Sequence, residues 1–269
     1  GIGLHAFGRF PGKSTQQMVL DATDAALDDA GCGFAGVQAV YYAHVYYQGM
    51  SPGEAMLAPL GLTGIPFVNV ENACSSGTTA LWLAWWAVAS GQFDRVLVAG
   101  AERVPSGPVS VLDAADPRRL VGDDHMMATY ALRMRRYMDD YGAPVEAIAQ
   151  VAVKARANAV HNPFAQQRKT VTLEEVLASR PIADPLTLLQ CCPTSEGAAA
   201  TVLSATPPER RRAVRLRAAA LRTDRYRAPG VDNPDGIELA GKEAFELAGI
   251  GPQDIDIAQV HDASTIGEI

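Results

Sequence analysis

The chain has few cysteines, and they follow none of the spacings that mark a metal site or a disulfide framework. The four are Cys32, Cys74, Cys191 and Cys192, and no two of them form a CxxC pair. The five histidines are scattered, so no zinc pattern is formed either. Because disulfides are rare in reducing compartments, this cysteine usage predicts a cytoplasmic protein without a structural metal.

An excess of positive charge and a long hydrophobic run are also missing. The formal net charge is −7 at pH 7, which argues against a surface that binds nucleic acids. The cluster of arginines at 210–212, 215 and 217 precedes an apolar stretch and is interpreted as a solvated edge. No apolar run reaches the roughly 20 residues of a membrane-spanning helix, and no signal peptide is recognised. With 48% apolar and 20% charged residues, the composition is that of a globular protein.

The first hundred residues alternate between strand-like and helix-like patterns. Ser14 and Gln17 form a capping box for a helix that runs through Ala30 and ends at Gly31. Further helices are predicted for 51–61 and 74–90, and strands for 1–7, 37–47, 65–70 and 95–101. This β-α-β-α-β-α-β order predicts a largely parallel sheet covered by helices.

The middle of the chain interrupts this alternation. Residues 104–122 are rich in proline and read as a loop, and helices are predicted for 124–141, for 144–160 and after a capping box of Thr172 and Glu175. The strand pattern then returns at 197–205, 213–222 and 255–260, with a helix capped by Asn233 and started by Pro234. We therefore expect an α/β unit that contains a helical insertion and then begins again.

Cys74 lies at the junction of the predicted strand 65–70 and the predicted helix 74–90. A thiol in the first turn of a helix faces unpaired N–H groups and the positive end of the helix dipole, which stabilise a thiolate. The helix is apolar all round and is expected to be buried, whereas Ser75, Ser76 and Gly77 keep its first turn small enough for a substrate to approach. An inert core thiol is the alternative, but this pattern favours a nucleophile.

Two other motifs are assigned to packing rather than to chemistry. The GKST stretch at 12–15 resembles a phosphate-binding loop, but only three residues separate Gly8 from Gly12, so a turn and a helix cap are favoured. The adjacent pair Cys191 and Cys192 is too close in sequence for an ordinary disulfide and is interpreted as packing.

His261 follows the predicted strand 255–260, at the sheet edge where open α/β sheets bind ligands. A functional role and a hydrogen-bonded core histidine both fit this position. The remaining histidines are interpreted as structural: His5, His44, His125 and His161.

Four stretches together resemble one family: VNVENACSSGTTAL, FDRVLVAGAERV, the long segment ending in CCPTSEGAAA, and VHDAS. In order and spacing they resemble the thiolase superfamily, in its branch of sterol carrier protein X thiolases and bacterial lipid-transfer-protein thiolases and aldolases. The resemblance implies two similar βαβαβαββ halves that share a five-layer α/β/α/β/α core. It places the first half, with helical insertion 104–190, at 1–205, and the start of the second half at 206–269. The family's GHP histidine and second catalytic cysteine have no counterpart here, so the second half is expected to be incomplete.

The resemblance also implies an activity. Cys74 matches the cysteine that carries the acyl group in cleavage or formation of a carbon–carbon bond of a 3-oxoacyl-CoA, with coenzyme A as substrate and no bound cofactor. His261 matches an oxyanion-side residue, although HDAS departs from the family's HDCF or NEAF at Ala263 and Ser264. A retro-aldolase acting on a β-hydroxyacyl-CoA and an inactive scaffold subunit are the alternatives.

Substrate and partners follow from the same resemblance. Ser76, Gly77, Met126 and Met127 are expected to contact the acyl-CoA, and the aromatic stretch 41–47 fits an aromatic or bulky acyl group, although such residues are often simply core. A homodimer that buries residues 66–72 is expected, together with a small OB-fold partner protein.

Overall fold

Two units make up the part of the chain that the structure describes. The computed structural model describes residues 1–61, 63–107, 110, 112–113, 115–121, 125–207, 214–225 and 235–269. The first unit comprises residues 1–5, 9–103 and 196–257, and the second comprises 6–8, 104–195 and 258–269. Among the helices described, none has the length and apolar character that crossing a membrane requires.

The strands and helices are numbered in chain order. The strands are β1 (Ile2–Leu4), β2 (Ala39–Ala43), β3 (Phe67–Val70), β4 (Arg95–Arg103), β5 (Pro181–Ala183), β6 (Leu186–Thr187) and β7 (Glu196–Ser204). The α-helices are α1 (Thr15–Ala30), α2 (Pro52–Leu57), α3 (Ser76–Ala89), α4 (Met126–Tyr141), α5 (Val145–Ala159), α6 (Leu173–Ala178) and α7 (Gly236–Ala248).

The first unit is built on a five-stranded sheet in the order β1-β7-β4-β2-β3. Strands β4, β2 and β3 are parallel, as predicted, whereas β7 runs antiparallel to both β1 and β4. The first strand, β1, also runs in the same direction as β4, but the antiparallel β7 lies between them, so β1 pairs with a strand about 200 residues later in the chain. Long-range pairing of this kind leaves no mark in local periodicity.

Strand β2 shows why both faces of the sheet are covered. All five of its residues are buried, and successive side chains of a strand point to opposite faces. Val40 and Tyr42 join a core with α1 and α2. Tyr41 and Ala43 join a second core on the other face, against α3. The sheet therefore lies between two helical layers, and its parallel strands carry continuous apolar runs.

The predicted helix ends in the first unit are confirmed where their signals are local. The side chain of Ser14 accepts from the backbone N–H of Gln17, and that of Gln17 accepts from the N–H of Ser14, which completes a capping box. Gly31 ends α1 in the left-handed region, at φ 68°, where a residue without a Cβ is favoured.

The second unit contains α4, α5, α6 and the antiparallel pair β5 and β6. Its main core surrounds Met134, Ile148 and Leu186, and the 3₁₀ turn Thr265–Gly267 packs against it through Ile266. Thr172 and Glu175 form the predicted capping box at α6.

Three expectations about helices and strands need correction. Residues 214–222 and 255–260 do not form the predicted strands, because no described strand lies beside either segment to accept its backbone hydrogen bonds, and a strand exists only when paired. Pro144 is the N-cap of α5 rather than its first helical residue. The predicted cap Asn233 and Pro234 lie outside the described residues, and α7 is capped by Asp235, which accepts from the N–H of Glu238 at 2.8 Å.

Candidate active site

Cys74 lies in a tight turn between β3 and α3, and its side chain is exposed. The predicted helix 74–90 was too long at its start: α3 begins at Ser76, with Ser75 as N-cap. Cys74 therefore precedes the first helical turn instead of belonging to it. The influence of the helix dipole falls off within the first turn, so the position of Cys74 relative to α3 is a weaker argument for a nucleophile than the sequence suggested. The exposure of the thiol is the stronger argument.

The backbone of this turn is unusual one residue before the cysteine. Ala73 has φ 46°, in the left-handed region that costs a residue with a Cβ roughly 1–2 kcal/mol. Its N–H donates to the Glu71 carboxylate at 2.8 Å, and its carbonyl accepts from the Ser76 hydroxyl at 2.7 Å. These bonds offset the strain and hold the neighbouring Cys74 at the outside of the turn.

Two further hydrogen bonds join the turn to α3. The Ser76 hydroxyl accepts from the backbone N–H of Asn72 at 2.8 Å, and the Asn72 side-chain amide donates to the Thr79 hydroxyl at 2.9 Å. Ser76 is buried and its hydroxyl is engaged at both ends. Gly77 is exposed, and no heavy atom of the described residues outside its own helix turn lies within 4 Å of the position a Cβ would take. The first turn of α3 therefore leaves unoccupied space beside Gly77 among the described residues.

Helix α3 is only partly buried, contrary to the expectation of a helix covered on every face. Its small residues Ala80, Ala84 and Ala87 lie against the sheet, because small side chains let the helix approach closely. Trp86 is 50% exposed, and its ring meets Trp82 and Trp85 edge to face. The sequence of α3 is hydrophobic on every side, but the structure gives the helix two different surfaces. One is packed against the sheet and the other is partly exposed.

The structure places His261 in the second unit, on a segment without regular secondary structure. His261 and Asp262 are exposed, whereas the next three residues are buried. The exposed fractions of Ala263, Ser264 and Thr265 are 4%, 0% and 4%. The carbonyl of Ala263 accepts from the backbone N–H of Cys192 at 2.9 Å. The loop thus has a buried half that anchors it and an exposed half that carries the imidazole.

The adjacent cysteines have different surroundings. Cys191 has extended backbone angles, φ −111° and ψ 146°, so its side chain and that of its neighbour point to opposite sides. Cys191 is half-buried, and burial, with a smaller contribution from Cys192, raises the pKa of its thiol to about 11. It stays protonated near neutral pH and is a poor nucleophile.

The other expected substrate contacts are also placed by the structure. Met126 and Met127 are the first residues of α4 in the second unit, and both are half-buried. Cys74, Ser76 and Gly77 share one turn of the first unit.

A small cavity at the carboxyl ends of β2 and β4 was not identified as a unit from the sequence. It has a volume of about 200 Å³ and is lined in part by Tyr42, Tyr46, Tyr47, Met56 and Glu102. The Glu102 carboxylate accepts from the backbone N–H of Tyr46 at 3.0 Å. Burial, and then the Glu102 charge, raise the pKa of Tyr42 above its ordinary value, so this phenol is neutral. The run of tyrosines was the only sequence signal for this cavity.

Comparison with known proteins decides the family. The model of the thiolase N-terminal domain matches residues 4–206. The chain belongs to the thiolase family. Sterol carrier protein 2 of Bos taurus is 32% identical over 300 residues, covering 100% of this chain and 54% of that protein. Benzoylsuccinyl-CoA thiolase subunit BbsB of Thauera aromatica is 35% identical over 232 residues, covering 82% of this chain and 60% of that protein.

A solved structure supports the same branch of the thiolase superfamily. The Ltp2-ChsH2(DUF35) aldolase is similar with a TM-score of 0.80 and 27% identity, over 99% of this chain and 73% of that one. Together these likenesses confirm the thiolase fold and the branch of sterol carrier protein and lipid-transfer-protein thiolases that the sequence motifs predicted. The chain spans about half the length of the sterol carrier proteins it matches.

Proposed function

We propose that this thiolase-family chain carries the acyl-accepting cysteine of an acyltransferase that cleaves or forms a carbon–carbon bond in a 3-oxoacyl-CoA. The observation that carries the proposal is the position of Cys74: an exposed thiol in a hydrogen-bonded turn between a strand and a helix. A nucleophile held outward on a rigid junction is presented to a substrate without a cost in ordering.

The proposed reaction runs in two steps. In the first, the Cys74 thiol gives up its proton and its sulfur bonds to the 3-oxo carbon, the bond between C2 and C3 breaks, and the electron pair of that bond passes to the enolate of the departing acyl-CoA, which then takes up one proton at C2. In the second step the sulfur of coenzyme A attacks the acyl-enzyme and releases Cys74 as a thiol. His261 is assigned to stabilisation of the enolate oxygen, where charge develops.

An aromatic or bulky acyl group is the proposed substrate class. The cavity beside Tyr46 and Tyr47 supports this, because tyrosine rings offer apolar faces to a ring of similar size. A relative named as a benzoylsuccinyl-CoA thiolase subunit supports it as well.

A retro-aldolase that acts on a β-hydroxyacyl-CoA is the second candidate. The likeness to the Ltp2-ChsH2 aldolase favours it. That reaction breaks a carbon–carbon bond without an acyl-enzyme, so it places no demand on an exposed thiol. The accessible Cys74 therefore favours the thiolase reaction over the aldol cleavage.

The proposed assembly is a homodimer with a small OB-fold partner protein. Strand β3 supports the dimer: among the strands that the structure describes it lies at the edge of its sheet, and Val68 on it is 39% exposed, so a second copy can pair with this edge. The name of the Ltp2-ChsH2 aldolase joins two proteins, which supports a second subunit. We also propose that residues 1–205 form the first half of the thiolase fold and 206–269 the start of the second.

The experiment that tests this function compares two substrates in the full chain. We expect a 3-oxoacyl-CoA with an aromatic acyl group to be cleaved repeatedly only when coenzyme A is added, since CoA takes the acyl group from the enzyme; without CoA, cleavage should stop at one acyl group per Cys74. Cleavage of a β-hydroxyacyl-CoA, independent of added CoA, and no thiolysis would replace the thiolase assignment by the aldolase.

A further inference from the structure

The side chain of Gln190 is buried in the second unit, next to the loop that carries His261. It is 2% exposed, and a buried amide is costly unless it is hydrogen-bonded. Its Nε2 donates to the hydroxyl of Thr265 at 3.3 Å, and its Oε1 accepts from the backbone N–H of Thr187 at 3.1 Å. One amide thus joins two segments that are far apart in sequence.

Hydrogen bonds join the residues on either side of Leu188, close to Gln190 in sequence, to helix α6 and to the residue that follows it. The Thr187 hydroxyl donates to the carbonyl of Val176 in α6 at 2.7 Å. The backbone N–H of Leu189 donates to the hydroxyl of Ser179, just after α6, at 3.1 Å. Gln190 is therefore fixed to a helix before it reaches Thr265.

The loop side contacts the backbone of His261 at close range. Thr265 starts the 3₁₀ turn Thr265–Gly267, and the N–H of Gly267 donates to the carbonyl of Ser264 at 2.8 Å. A Cβ on Gly267 would lie 3.1 Å from the carbonyl oxygen of His261, closer than ordinary van der Waals contact. The turn that Gln190 holds is thus the surface against which His261 rests.

His261 lies at the exposed start of a loop whose following residues are buried. His261 and Asp262 are exposed and lie in no helix or strand, whereas Ala263, Ser264 and Thr265 are buried. An oxyanion donor that is misplaced by about 1 Å loses much of its effect. The buried residues of this loop therefore contribute to the position of the His261 backbone.

We propose that Gln190 is a positioning residue that holds His261 for its role at the enolate, through Thr265 and the close approach at Gly267. The proposal rests on the function proposed above for His261. Gln190 touches no reacting atom; it acts on the loop, and the loop presents the imidazole.

Three variants test this positioning role. Gln190→Leu removes the side-chain amide and keeps a similar volume. Thr265→Val removes the hydroxyl that accepts the hydrogen bond from Gln190. Gly267→Ala adds a Cβ close to the carbonyl oxygen of His261. Asn162→Ala is the control, because it removes a side-chain oxygen that accepts from the backbone N–H of Phe164 at 3.0 Å in the same unit and that takes part in none of the bonds described above for Gln190 and the loop.

The kinetic measurement separates the two half-reactions in the full chain. We expect each loop variant to slow carbon–carbon cleavage by about tenfold or more, and acyl exchange onto Cys74 by less than about threefold. The double variant of Gln190→Leu and Thr265→Val should be no slower than Gln190→Leu alone, because the bond that Thr265→Val removes is already lost in Gln190→Leu. Equal losses in both half-reactions, or the same loss in Asn162→Ala, would overturn the positioning role.

A second measurement does not depend on activity. Hydrogen exchange of the peptide 258–269 should be faster in Gln190→Leu and Thr265→Val than in the parent, and unchanged in Asn162→Ala. Unchanged exchange in both loop variants would overturn the proposal. Faster exchange in a chain that cleaves no 3-oxoacyl-CoA would instead retain the anchor and reject the proposed function. If Gln190→Leu fails to fold, Thr265→Val and Gly267→Ala decide the same question.

Discussion

The turn around Cys74 and the loop that carries His261 are held in opposite ways. The hydrogen bonds described above for the cysteine turn join residues within 71–79, and the pair most widely separated in sequence is Asn72 and Thr79. The histidine loop is fixed by Gln190, which lies 75 residues from Thr265, and by Cys192. The first arrangement is encoded by neighbours in sequence, the second by packing, so the two should respond differently to substitution.

The largest expected effect is at Cys74. Cys74→Ala should abolish thiolysis, with a loss of at least about 10⁴-fold, because no other group can form the acyl-enzyme. The rate of CoA-dependent cleavage of a 3-oxoacyl-CoA measures this, with Cys192→Ala, an exposed cysteine in the other unit, as control. Parent-like cleavage by Cys74→Ala would exclude the covalent route.

A smaller and step-specific effect is expected at His261. His261→Ala should slow carbon–carbon cleavage by about 10² to 10³-fold, the usual effect of losing one oxyanion donor. Acyl transfer to Cys74 should survive better, because the histidine is assigned to the enolate. Single-turnover rates of the two half-reactions check this, with His161→Ala as control. Equal slowing of both would reject the assignment.

Cys191 tests whether burial, rather than sequence motif, decides which cysteine reacts. Its pKa is raised to about 11 because burial disfavours the thiolate, so at pH 8 it should alkylate about a hundredfold more slowly than an exposed thiol of ordinary pKa. The raised pKa also means that the neutral thiol stabilises the fold below about pH 9, and that this contribution is lost as pH rises through about 11. Timed iodoacetamide labelling with peptide mapping measures the rate, and early labelling of Cys191 would contradict the burial argument.

The smallest effect concerns the hydrogen bonds of the cysteine turn. Ser76→Ala should lower the free energy of unfolding by about 1–3 kcal/mol, because the N–H of Asn72 and the carbonyl of Ala73 lose their partner. Ser75→Ala, which removes an exposed hydroxyl without a capping bond, should change it by less than about 0.5 kcal/mol. Urea unfolding measures both values, and similar losses would show that the turn does not depend on Ser76.

The same contrast explains what could be predicted from the sequence. Capping boxes at Ser14 and Thr172 and the apolar runs of β2 and β4 are local signals, and the structure confirms them. The family motifs around Cys74 also lie within a few residues of one another. The strand–helix junction at Cys74 was recognised for that reason, although the start of α3 was placed two residues too early.

The remaining features depend on contacts between distant residues. The pairing of β1 with β7, the exposure of Trp86 and the Gln190–Thr265 bond follow from which segments meet in three dimensions. Periodicity predicted strands at 213–222 and 255–260 because it depends on the hydrophobic pattern and not on the presence of a pairing partner. A buried glutamine such as Gln190 has no sequence signature that separates it from an exposed one.

The most direct test of the central claim is the mass of the Cys74 peptide after brief reaction with an aromatic 3-oxoacyl-CoA in the absence of free CoA. Acid quenching, digestion and mass spectrometry should find the acyl group on Cys74, and addition of CoA before quenching should remove it. Acyl group on Cys32 or Cys192 instead, or product formed with no adduct on any cysteine, would contradict a Cys74 acyl-enzyme.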